Sequence, residues 1–219
     1  MTHTLANLFC LSITWAAWLW LVNQDFVPAL DLTIAITATL FILPLVFGGR
    51  WLLDRQPSVS RAEWVTLAVH YLLAIFFGSA LIAATRFGLS SPGWPIPLHP
   101  GLGLGLMVLS GLLWLAVIIN LIVKGSGLPF ALLLTRVVAT DWLYAWTRNP
   151  MVLSALAFLV GLGLWFRSGL FLIWVLIVVS PALLLFLKVY EERELEIRFG
   201  SSYLTYKART PMFFPRRTR

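Results

Sequence analysis

The feature that most restricts this chain is a succession of apolar runs close to twenty residues long, several of them without a single charge. A hydrocarbon layer of ~30 Å takes about 20 apolar residues per helical crossing. Backbone polar groups in lipid must be satisfied internally, which leaves helices or a closed barrel. Barrel strands would read as stretches of about ten residues with alternating polarity, and none is present. We therefore read an all-α, polytopic membrane helical bundle with about six segments. They fall at roughly Thr4–Val22, Leu30–Phe47, Glu63–Arg86, Gly101–Val123, Pro150–Phe166 and Gly169–Lys188.

Composition excludes the competing classes. The chain is 60% hydrophobic and 11% charged, too little charge to clothe a soluble domain of this size. Its net charge of +7 is not a nucleic-acid signature here, because basic residues of membrane proteins gather at cytoplasmic ends. Of the 16 Lys and Arg, only Arg86 and Arg167 fall in the loops of one side. The opposite side receives both termini and all the rest, so both termini are expected in the cytoplasm. Cys10 is the lone cysteine, so neither an intrachain disulfide nor a cysteine metal cluster can form. No HExxH or phosphate-loop motif suggests a metal or a nucleoside triphosphate. The first run lacks a basic leader and a small-residue cleavage pattern, which predicts a permanent helix.

Only Arg167 and Ser168 separate the last two runs, which predicts a tight antiparallel hairpin. Residues 1–100 read as scaffold helices and residues 101–219 as a functional core with a cytoplasmic cap. The Pro-rich loop Leu89–Pro100 is expected to be a stiff outer cap, with Trp94 as an interfacial anchor.

Three polar clusters then share the cytoplasmic side. Gly125-Ser126-Gly127-Leu128-Pro129 can stop a helix and bring backbone close to a ligand; taken alone, a plain helix stop followed by a turn is the favoured reading. In Arg148-Asn149-Pro150, proline suits the first helical turn and Asn149 an N-cap. The helix N-terminus and the Arg148 guanidinium together suit a carboxylate, although a snorkelling arginine on a capped helix gives the same letters. Glu191-Glu192 follow an apolar helix, where charge and dipole both oppose them. They call for cations, either local Arg and Lys or the ammonium or sulfonium of a ligand. Gly200 is expected to end a short amphipathic helix over Glu191–Arg198. Beyond it, Tyr203 and Tyr206 could cover a pocket or merely anchor the tail. His70 and Asn120 lie inside helices and read as interhelical hydrogen-bonding groups. Asp141 reads as a loop cap.

In order and spacing these pieces (G-x-G-x-P, Y-x-x-x-R-N-P-M, E-E-x-x-L-x-x-x-F-G-x-x-Y-x-x-Y, P-x-F-x-P) resemble the integral-membrane methyltransferase superfamily. That superfamily includes isoprenylcysteine carboxyl methyltransferases and phosphatidylethanolamine methyltransferases. The resemblance covers about the last hundred residues. It implies S-adenosyl-L-methionine in a cytoplasm-facing pocket and a lipid or small hydrophobic acceptor arriving from the membrane. By position it implies Gly125, Gly127, Tyr144, Arg148, Asn149, Pro150, Glu191, Glu192, Leu195, Tyr203 and Tyr206 around the cofactor. Arg148, Glu191 and Glu192 would take direct part in the chemistry, with no metal. Leu128, Trp142, Ala145 and Val152 stand where relatives often carry Thr, Gly, Arg and Tyr. A reductase is a second reading, since membrane sterol reductases resemble this helical core; a non-catalytic scaffold or small transporter is a third.

Overall fold

The computed structural model describes residues 2–91, 93–125 and 136–213. These are helical, with no strand among the described residues. The first half supplies α1 (Thr2–Val22), α2 (Pro28–Leu40), α3 (Ile42–Arg55) and α4 (Val59–Ser90). The second half supplies α5 (Pro100–Gly125), the single turn α6 (Leu143–Trp146), α7 (Pro150–Trp165), the long α8 (Gly169–Phe199) and α9 (Ser201–Arg209).

Among the described residues, five apolar helices are long enough to cross a membrane: α1, the pair α2–α3, α4, α5 and α8. The fifth expected segment, α7, has 16 residues, or ~24 Å at 1.5 Å per residue, short of a ~30 Å core. Prolines explain two of the irregular places. The break at Phe41 between α2 and α3 falls where the Pro44 ring would meet the Leu40 carbonyl. In α8 a π-helical stretch, Trp174–Val179, precedes Pro181 and relieves the same clash.

One sequence expectation is overturned here. The last apolar helix does not stop near Lys188; it continues through a second π-helical stretch, Phe186–Glu191, and runs to Phe199. Glu191 and Glu192 therefore sit mid-helix. Their cost comes from burial and mutual repulsion rather than from a helix C-terminus. Gly200, at φ +53, ends the helix as expected.

The core is formed by α3, α4 and α8 around Ile42, Val46, Val69, Val175 and Tyr190. Arg50 and Arg193 reinforce it at one end: Arg50 donates to the Val189 carbonyl at 3.1 Å, and Arg193 pairs with Asp54 at 2.7 Å. Helix α5 packs against α7 rather than α4. Gly103 and Gly161 permit that approach, since a Cβ on Gly103 would lie 2.6 Å from the Gly161 carbonyl oxygen. A seam is left between α5–α7 and the α1–α4 scaffold.

At the other end the Pro-rich loop is laced to the α7–α8 turn. Ile96 N–H donates to the Arg167 carbonyl and Arg167 Nε to the Ile96 carbonyl, each at 3.2 Å. The Trp94 indole packs against Gly169. Beside this cap, Arg86 binds buried Asp31 at 2.6 Å and donates to the Leu21 and Gln24 carbonyls at 2.7 and 2.9 Å, locking the α1–α2 turn onto α4.

Candidate active site

The seam holds a cavity of about 530 Å³. At its polar end α8, α9 and the start of α7 converge, because the Gly200 reversal folds α9 back and residues 210–213 cross the foot of α7. Arg148 N–H donates to the Pro211 carbonyl at 3.0 Å, and the Thr147 hydroxyl donates to that of Met212 at 2.9 Å. The Asn149 amide also donates to the Met212 carbonyl, at 3.1 Å. Asn149 thus occupies the N-cap position but makes no side-chain cap, contrary to expectation. With Pro150 at the first position, the early amides of α7 have no side-chain partner.

Most of the charges in this end cancel. Arg148 Nη1 meets Glu192 at 2.6 Å and the Tyr203 hydroxyl at 3.3 Å. Lys207 meets the other Glu192 oxygen at 2.6 Å and Glu196 at 3.0 Å. Burial pulls the Lys207 pKa down, but the carboxylates of Glu192 and Glu196 outweigh it and leave it raised. Arg198 and Glu194 form a buried pair at 2.7 Å. Two groups are left over. Glu191 lines the cavity without a hydrogen bond or ion pair among the described residues. Arg148 Nε is buried without a hydrogen-bond partner. Glu191, a carboxylate without a cation, therefore faces the cavity, and Arg148, which also lines it, keeps a sealed N–H without an acceptor.

Three tyrosines complete this end. The Tyr206 hydroxyl donates to the Tyr144 carbonyl at 2.7 Å. Burial raises the pKa of Tyr144, Tyr203 and Tyr206, with the charge of Glu191 adding at Tyr144 and that of Glu192 at Tyr203. All three are neutral hydroxyls at physiological pH.

Of the residues singled out by sequence, Tyr144, Arg148, Asn149, Glu191, Glu192, Leu195, Tyr203 and Tyr206 line this single cavity. Pro150 is buried at the start of α7, and Gly125 is the last residue of α5. Gly127 lies outside the described residues. Sequence reasoning missed the deeper wall: Trp18 of α1, Trp114 of α5, and Thr66, His70, Ala74, Phe77 and Leu81 of α4. The α4 residues recur every three or four positions, a one-face pattern, but nothing distinguishes that stripe from an ordinary buried face. His70 and Asn120 were expected to bond between helices. His70 instead bonds within α4, and Asn120 donates to the backbone carbonyl of Asp141. Asp141 itself pairs loosely with Lys124, at 3.8 Å.

Two departures from the family pattern have a visible place. Val152 lines the cavity, so a hydroxyl there would have faced the ligand. Trp142 adopts φ 52, ψ −120, a conformation that suits the glycine relatives often carry.

Fold and site together define a polytopic all-α membrane protein with a polar-headed, apolar-bodied cavity at one end. Residues 98–202, a little under half of the chain, match the family model for phospholipid methyltransferase. That match is to the integral-membrane methyltransferase superfamily and covers this segment alone. Searches of curated proteins and of solved structures each returned no match.

Proposed function

We propose that the protein transfers a methyl group from S-adenosylmethionine to a lipid or small hydrophobic acceptor at the cytoplasmic membrane face. One observation carries the reading: Glu191, which has no partner among the described residues, and Arg148, whose buried Nε has none, line the same cavity. An α-amino acid head supplies the matching pair, an ammonium for Glu191 and a carboxylate for Arg148 and the uncapped first turn of α7. The cofactor, when bound, supplies a sulfonium methyl group.

The chain's own residues then position and dehydrate. Glu192 holds the Arg148 guanidinium in place and is itself neutralised by Lys207. Tyr144, Tyr203 and Tyr206 close the polar end with neutral side chains that add no competing charge. Displacement at a methyl carbon gains most from alignment and exclusion of water, which is what such a seam can provide. The cytoplasmic placement rests on the basic residues that crowd this end of the sequence pattern. A dinucleotide-dependent reductase would need cations for a diphosphate, whereas Arg148, Lys207 and Arg198 each already pair with a glutamate.

The test is transfer of label from methyl-labelled S-adenosylmethionine into a membrane lipid extract by purified protein. Organic-phase label is expected with the wild type. With Arg148→Ala it is expected to fall about a hundredfold, the scale of losing a buried charged contact. Undiminished label in Arg148→Ala would contradict the assignment.

A further inference from the structure

The cavity wall contributed by α4 has one titratable side chain. Thr66, His70, Ala74, Phe77 and Leu81 succeed one another on a single face, spanning ~22 Å of helix axis. His70 stands one turn from the polar end, where Thr66 bonds the Tyr190 hydroxyl at 3.1 Å. Beyond it the stripe is wholly apolar. His70 thus marks the boundary where the head of an amphiphile would end and its chain begin.

Its proton is also placed. His70 Nδ1 lies 2.9 Å from the Thr66 carbonyl oxygen. A carbonyl only accepts, so Nδ1 carries the hydrogen and the neutral ring keeps its lone pair on Nε2. Nε2 has no hydrogen-bond partner among the described residues, and it is not one of their sealed, unsatisfied atoms. The ring meets Phe186 edge-on at 5.7 Å, which fixes its plane.

Other bases in the cavity are committed. Glu192 bridges Arg148 and Lys207, Glu194 is held by Arg198, and the Tyr206 proton points at the Tyr144 carbonyl. On the cofactor reading above, Glu191 is taken by the ammonium. We propose that His70 Nε2 is the base that receives the acceptor's proton, and that the acceptor is an amphiphile whose methylated atom bears N–H or O–H. In that step the acceptor heteroatom bonds to the methyl carbon while the carbon–sulfur bond of the sulfonium donor breaks. The heteroatom's proton passes to Nε2, leaving a methylated acceptor, a thioether and an imidazolium that returns its proton to solvent. A carboxylate acceptor would need no such base and would find no unpaired cation in this wall.

The inference rests on the methyltransferase reading, so its test has an arm independent of turnover. Purified protein is treated with diethyl pyrocarbonate, which acylates a free imidazole nitrogen, and the adducts are mapped with His99 as internal standard. Dodecylamine is expected to suppress labelling of His70 about tenfold, whereas S-adenosylhomocysteine and dodecanoate change it less than about twofold. His70→Gln is expected to keep its affinity for S-adenosylhomocysteine while methylation of dodecylamine falls about a hundredfold. Failure of His70 to label while His99 reacts, absence of protection by dodecylamine, or wild-type turnover in His70→Gln would each overturn the proposal. Absence of S-adenosylhomocysteine binding in the wild type would instead strike the cofactor reading, leaving the labelling pattern to judge the acceptor pocket.

Discussion

The molecule buries an arginine–carboxylate pair at each end, and the two are finished differently. At the end capped by the Pro-rich loop, Arg86 spends its donors on Asp31 and on the Leu21 and Gln24 carbonyls. At the cavity end, Arg148 is bound to Glu192 and Tyr203 yet keeps a buried Nε without a partner. Glu191 beside it has no cation at all among the described residues. A saturated pair in low dielectric is a structural lock, whereas an unsaturated one is destabilising until something binds. On the proposed function, the contrast separates the end that holds the scaffold together from the end that takes the ligand.

The comparison can be broken first at the lock. Arg86→Ala leaves Asp31 buried and unpaired, and is expected to destabilise the protein by about 3–5 kcal/mol. Thermal unfolding in detergent checks this, and the variant's folded fraction should bind S-adenosylhomocysteine as the wild type does. Glu191→Gln sharpens the other side. Removing an uncompensated charge should leave the melting temperature unchanged or slightly higher, a change within about 1 kcal/mol. The smallest effect concerns Trp142, which is exposed and held at φ 52. Trp142→Gly should stabilise the protein by about 1 kcal/mol in the same melt, by removing a left-handed strain that glycine does not feel.

Much of this was legible in the sequence. Runs of about 20 apolar residues announced the bundle, and the two-residue link at Arg167-Ser168 announced the α7–α8 hairpin. The pairing of Arg148 with Glu192 was foreshadowed by charges of opposite sign just outside the neighbouring ends of the two apolar runs of the hairpin. What stayed hidden has physical causes. The continuation of α8 past Lys188 was masked because its residues turn polar without ceasing to be helical. The π-helical stretch that carries Tyr190 and Glu191 leaves no compositional trace. Asn149 looked like a cap, but the Met212 carbonyl, 63 residues away in sequence, competes for its amide. The α4 stripe went unnoticed because an apolar cavity wall and an apolar packing face use the same residues at the same spacing.

The most direct test of the central claim is a calorimetric titration of S-adenosylhomocysteine into the wild type and Glu191→Gln, compared at equal folded fraction. The account expects saturable binding by the wild type and affinity at least about tenfold weaker in the variant, as befits a lost charge-assisted contact. Equal affinity in the two proteins would contradict it.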